Sequence, residues 1–123
     1  MPEYMPLFKP AAALPLTASA AVTGGQLLIV SGPGTVAPST AASGAWIGVA
    51  AYDAATGQRL TVHTGSGVHL LTAAGAIPAG ARVAAAANGQ VADFGAGTDY
   101  SQIIGIALSS ATAGQPVQVK LAR

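Results

Sequence analysis

The chain contains no cysteine and very little charge, and each shortage narrows what it can be. Without cysteine, disulfide staples and thiolate metal sites are excluded. Five basic and four acidic side chains in 123 residues make 7% charged, against about 25% in an ordinary soluble domain. A net charge of +1 gives no basic field for nucleic acid. No apolar run approaches the roughly 20 residues of a membrane-spanning helix. The segment "AAALPL" followed by "ASA" has the outline of a signal peptide. Glu3 and prolines in its leading part, and Pro15 inside its short apolar stretch, break that pattern, so export by this route is not expected.

Such a chain shows water mostly Ala, Gly, Ser and Thr, whereas a free monomer normally stays soluble through charge. Either alanine has replaced charged residues on an ordinary surface, or much of that surface is covered by other subunits. One compact domain is the natural size expectation.

Alanine, the best helix former, is the commonest residue, yet sixteen glycines punctuate the chain and leave no 3.6-residue apolar period. What remains are short runs rich in Val, Ile, Leu and Thr: "QLLIV", "WIGVAAY", "RLTVHT", "GVHLLT", "ARVAAA", "QIIGIAL" and "PVQVKL". Some alternate with period two. Leu60, Val62 and Thr64 oppose Arg59, Thr61 and His63, and Val117, Val119 and Leu121 oppose Gln118 and Lys120. Short strands separated by frequent turns indicate an all-β sandwich or small barrel.

The chain also repeats itself. "IGVAAYDAATGQRLTV" beginning at Ile47 aligns with "IGIALSSATAGQPVQV" beginning at Ile104, pairing Gly48 with Gly105, Gly57 with Gly114 and Val62 with Val119. Upstream, Gly25 aligns with Gly80 and Val36 with Val91, so the second copy carries a two-residue insertion. Two copies are too few for a solenoid. They predict two similar β units folded on each other, closing one barrel-like core. In the first copy Asp53 is expected to cap the turn "DAATG" and Gly57 to supply positive φ.

The first 21 residues differ. Pro2, Pro6, Pro10 and Pro15 disfavour helix and central strand alike. An extended arm over residues 1–21, followed by a β domain over 22–123, is the expected division. Tyr4, Met5, Leu7 and Phe8 give the arm apolar groups that need a partner, and Lys9 adds a charge, so these five are the candidate partner-binding residues.

Catalytic and cofactor signatures are missing. "DFG" from Asp93 reads as a turn, because nothing else of a kinase accompanies it. Ser66 lies in a Gly-Ser-Gly without the spacing of a nucleophile elbow. His63 and His69 flank that glycine-rich stretch and are a candidate metal pair if they face each other across a hairpin; the plainer reading is two ordinary strand histidines. Two histidines without a nearby carboxylate fall short of the four ligands zinc wants. No phosphate-binding glycine loop is present. Trp46, the one tryptophan, reads as a core anchor, with an interface anchor as the alternative.

Taken together, "PEYMPLFKP", "TASAAVTGGQLLIVSG", "YDAATGQRLTV", "GVHLL", "AAGAIPAGARVAAAANGQV" and "IIGIAL…ATAGQPVQVKL" resemble, in order and spacing, the small cement or head decoration proteins of tailed phages, especially those of actinobacterial hosts. The resemblance covers nearly the whole chain. It implies a β-barrel or tulip-like fold, a place on the outer surface of the capsid against the major capsid protein, and homotrimers at local three-fold positions. The family it resembles is not known for enzymatic activity; no cofactor, nucleic-acid partner or membrane is expected, from the missing motifs, the small net charge and the short apolar runs. The rival class is a secreted or cell-surface β-sandwich for adhesion or carbohydrate binding, which would want a signal peptide and an exposed aromatic platform. For all its alanine, the chain should give a far-UV circular dichroism spectrum dominated by β structure; a spectrum dominated by helix would overturn this reading.

Overall fold

The structure is a computed structural model that describes residues 13–41 and 43–122. Strands β1 (Ala13–Ala18), β2 (Leu27–Gly32), β3 (Thr35–Pro38), β4 (Trp46–Ala50) and β5 (Arg59–His63) close a barrel in the order β1-β3-β2-β4-β5. Strands β6 (Val68–Thr72), β7 (Arg82–Ala85), β8 (Val91–Asp93), β9 (Ile103–Ala107) and β10 (Pro116–Leu121) form a second sheet ordered β6-β10-β9-β7-β8. Two 3₁₀ turns, Ala87–Gly89 and Tyr100–Gln102, are the only helical elements among the described residues. The all-β class expected from the glycine spacing is therefore the one observed. The period-two strands behave as their pattern dictates: Leu60 and Val62 are buried while Arg59 and His63 are exposed, and β10 alternates without a break.

The sequence repeat is a repeat of structure. β1 pairs with β5 as β6 pairs with β10, and β2 joins β3 and β4 as β7 joins β8 and β9. The backbone hydrogen bond from Gly57 N to Ala18 O recurs from Gly114 N to Ala73 O, both at 2.8 Å. The Val22–Ala54 bridge recurs as Ile77–Ala111. Gly57 and Gly114 have φ of +87° and +81°, a region that glycine enters at no steric cost. Asp53 does not cap its own turn. Its Oδ1 accepts from Gly24 N at 2.8 Å, and Ser110 Oγ accepts from Ala79 N in the second copy. Each thus ties the turn before β2 or β7 to the loop that follows β4 or β9.

Three expectations are corrected. First, β1 lies within residues 1–21, so the division at residue 22 is wrong: the barrel needs Ala13–Ala18, which pair with β5 from Ala13↔His63 to Thr17↔Arg59. Proline misled the reading. Thr17 N points towards β3, bonding Gly34 O. Pro15, two residues earlier, turns its missing donor to the same side, and β3 pairs with β1 only at Thr17 and Ala18. The absent N–H therefore breaks no ladder bond. Second, there are two cores, not one. One cluster fills the first barrel with Ala18, Val22, Leu28, Val36, Ala50, Ala54, Leu60 and Val62. The other is built mainly from the second sheet. Third, His63 and His69 are not partners across a hairpin. β5 and β6 lie in different sheets, and the link between them crosses from one repeat to the other.

The repeats differ in closure. β1 and β3 seal the first barrel, whereas the corresponding edges of the second meet only at the parallel Ala73–Val91 bridge. The first repeat fills the second. Leu27, Trp46 and Val49 join the second core, while Leu28 and Ala50, their neighbours in β2 and β4, face the first. Ser39 Oγ donates to Ala86 O at 2.7 Å and Gln26 Nε2 to Asn88 O at 3.0 Å across the same seam.

Gly48 and Gly105 hold equivalent places. A Cβ on Gly48 would overlap the carbonyl of His63, and one on Gly105 the carbonyl of Lys120. Both neighbours are strand backbone, which cannot swing aside. Gly48→Ala and Gly105→Ala should each cost about 2–3 kcal/mol through overpacking, a fall of roughly 10 °C in Tm that thermal denaturation would register.

Candidate partner-binding surface

The candidate arm residues Tyr4, Met5, Leu7, Phe8 and Lys9 lie outside the described residues. Trp46 does not serve an interface with another molecule: it is 2% exposed, packed in the core shared by the two repeats. An indole buried between two sheets is the anchor of that packing.

Among the described residues no group of three or more His, Asp or Glu could hold a metal ion. Asp93 Oδ1 accepts from Gly95 N at 3.0 Å and Gly95 has φ of +63°, which makes "DFG" a turn held by its own carboxylate. Asp99 caps the second 3₁₀ turn, bonding Ser101 N and Ser101 Oγ; those bonds hold its pKa below the ordinary value. A polar cleft of about 320 Å³ opens at the seam between the repeats, where Leu70, Thr72, Asn88 and Gln90 approach the Thr23–Gln26 turn. It contains no titratable side chain.

What the fold does assemble is an apolar sheet face. Register places Val68, Lys120, Ile106 and Arg82 side by side across β6, β10, β9 and β7, hence on one side of the sheet. One step along, Leu70 sits beside Gln118, whose carbonyl accepts from Leu108 N at 2.7 Å. Val68, Leu70, Ile106 and Leu108 are all exposed. Arg82 lies over the rings of Phe94 and exposed Tyr100, 5.6 Å from each centroid. The two rings are 6.0 Å apart and tilted by 43°. The guanidinium covers this pair, which differs from an open aromatic platform. Tyr and Arg are among the residue types enriched where binding energy concentrates at protein interfaces. The sequence reading passed over this face, although a signal was present: β6 and β9 carry apolar residues at the positions that should be polar by alternation.

The first repeat has the same row. Ala13, His63, Val49 and Leu27 are neighbours in the register that relates Val68, Lys120, Ile106 and Arg82. There one half of it is covered by the second repeat: Leu27 is 0% and Val49 3% exposed, against 41% for Ile106, while Ala13 and His63 remain exposed. His63 stacks on His69 of β6, with centroids 6.0 Å apart.

A scan against family models matches phage cement protein over residues 8–122. The chain belongs to the phage cement protein family. That places it with the capsid-associated structural proteins of the virion, the family its sequence resembles. No curated protein sequence matches the chain. Among solved structures it is similar to the head fiber gp8.5 N base in bacteriophage phi29. The identity is 20% and the TM-score 0.70, over 89% of this chain and 92% of that one. At that identity the likeness is one of fold, and it extends over both repeats.

His69 is held below its ordinary pKa of 6.5, first by burial and then by repulsion from His63. The folded protein thus takes up this proton less readily than the unfolded chain. The resulting stability is fully present above about pH 6.5, is lost as pH falls below it, and levels off once His69 is protonated in the folded form. Melting temperatures between about pH 7.5 and pH 5 should show this decline, and His69→Gln should remove that part of it.

Proposed function

We propose that the chain is a non-catalytic virion protein that binds the outer surface of the phage capsid through the major capsid protein. There it cements the junctions between capsomers, as a homotrimer. The family match over residues 8–122 carries this reading. Its support elsewhere is physical. A surface with so few charges suits a molecule largely covered by neighbours. The solved protein that shares its fold is itself named as the base of a head fiber.

The mechanism is multivalent. A trimer touching several capsid subunits at once turns each further contact into an intramolecular event, so its release is far slower than one contact would allow. The twelve residues ahead of β1 are the anchor in this reading. Fully extended they reach up to about 40 Å, enough to cross onto a neighbouring subunit. Tyr4, Met5, Leu7 and Phe8 bury apolar area there at about 25 cal/mol per Å². That gain must exceed an ordering cost of about 1–2 kcal/mol per residue. Lys9 adds a contact whose worth, if exposed, is at most about 1 kcal/mol.

Undecorated expanded heads should take up the protein to a fixed copy number per particle. Removing residues 1–12, which leaves β1 intact, should keep the melting temperature within a few degrees and reduce head binding by about tenfold or more, the effect of losing roughly 1.4 kcal/mol or more. Equal decoration by the truncated chain would show that the arm is not the anchor. Full-length protein that leaves heads bare would remove the cement reading itself.

A further inference from the structure

The two repeats differ at one strand edge. The equivalent turn bonds, from Gly57 N to Ala18 O and from Gly114 N to Ala73 O, relate Ala18 to Ala73, and hence Pro15 of β1 to Leu70 of β6. Bonds from Leu121 N to Gly67 O and from Ala73 N to Gln115 O flank β6. The antiparallel pattern therefore turns the odd-numbered backbone groups of β6 towards β10 and points the N–H and C=O of Val68 and Leu70 away from it. On that side β6 has no ladder neighbour among the described residues. It is a terminal strand of its sheet, and its seal to β8 begins only at Ala73. Val68 and Leu70 are 55% and 61% exposed, and the polar cleft of about 320 Å³ opens beside Leu70. In the first repeat the equivalent donor is missing because the residue is proline. One edge is thus blocked, while its counterpart is a template for another strand.

We propose that residues 1–12 of the same chain add to this edge as an extended strand alongside β6. Two observations select that occupant. The first is the parity of its prolines. Pro2, Pro6 and Pro10 all hold even positions. In an extended strand successive N–H groups point to opposite edges, so the three missing donors fall on one edge. The other edge keeps the donors of Glu3, Met5, Leu7, Lys9 and Ala11. A strand with one complete edge and one depleted edge suits the outermost place in a sheet, its proline side turned to solvent. The second observation is the point of entry. The segment joins β1 at Ala13, Ala13 pairs with His63, and His63 stacks on His69 of β6 with ring centroids 6.0 Å apart. Twelve extended residues reach up to about 40 Å, enough to cross this short gap and run along β6. The tether also holds the segment there at an effective concentration of about millimolar, which separate chains in dilute solution do not match. Main-chain hydrogen bonds supply the affinity in such additions. The inference goes beyond the capsid reading, since it states where the arm is held before a head is met. It also shields an edge that would otherwise invite pairing with other chains.

Amide hydrogen exchange of the full chain, followed by NMR in the absence of heads, reads the parity directly. Relative to their intrinsic rates, Met5, Leu7 and Lys9, together with Val68 and Leu70, should exchange about tenfold or more slowly than Tyr4 and Phe8. Leu7→Pro puts a gap in the complete edge and should release the protection at Met5, Lys9 and Leu70. Phe8→Pro adds a fourth proline to the depleted edge and should leave that protection in place. Both changes lie ahead of β1, so neither effect can be mistaken for loss of the fold. Leu70→Pro copies Pro15 at the equivalent position and should release the arm as Leu7→Pro does. Equal exchange at odd and even positions of the arm, or protection of the even ones, would overturn the proposal. Since the chain has no cysteine, a Met5→Cys/Val68→Cys double variant treated with a short bis-maleimide should link within one chain. Linkage instead between the two single variants, prepared separately and mixed, would assign the edge to another copy and equally overturn it. None of these readouts depends on capsid affinity. Their failure leaves head binding standing, and bare heads would leave the exchange pattern interpretable.

Discussion

One sheet buried on both sides organises this molecule. β2 and β4 give Leu28 and Ala50 to the first barrel and Leu27, Trp46 and Val49 to the second. A strand pair with both faces covered must be apolar on both, and "LLIV" and "WIGVA" are. Because the second barrel is sealed only at Ala73–Val91, it obtains much of its filling from the first repeat. The repeats are thus unequal partners: one is closed and supplies side chains, the other is open and receives them. Removing the indole of Trp46 would open a cavity where the two meet, and large-to-small changes at such sites cost about 3–5 kcal/mol.

Few charges are needed to shape the rest, because neutral hydrogen bonds set the turns. Gln26, Gln58 and Gln115 each follow a glycine of positive φ, and each accepts through Oε1 from the backbone N–H three residues earlier, at 2.8, 2.9 and 3.3 Å. Glycine makes the bend and the glutamine amide closes it. Interactions of this kind do not weaken with ionic strength as ion pairs do. The positions that set these turns are therefore distinct from the exposed apolar positions of the second sheet. The exposed face of β6, β10, β9 and β7 can differ in composition without disturbing either core.

Much of the architecture was legible because it rests on local rules. Alternation in β5 and β10 is a backbone property, and the repeat preserved the residues that geometry constrains most: Gly48 and Gly105 where a carbonyl presses in, Gly57 and Gly114 where φ is positive. What could not be read locally was pairing across distance. Pro15 looked incompatible with a barrel strand, and only the offset between β1 and β3 reveals that its missing N–H faces no partner. His63 and His69, six residues apart, suggested a hairpin, yet they meet because one repeat docks on the other. The apolar face was hidden for a related reason. Val68 and Ile106 look like core residues in a sequence window, and their exposure follows only from knowing which repeat is covered.

The position of β1 has a mechanical consequence. It enters at Ala13 and runs between β5, antiparallel, and β3, parallel. A pull applied at Ala13 along the strand axis would act on both of these pairings. Its ladder to β5 from Ala13 to Thr17, and its short seal to β3, are then loaded in shear, so the bonds must yield together rather than peel apart in turn. A strand from a proline-rich segment is thereby held to the barrel on both of its edges.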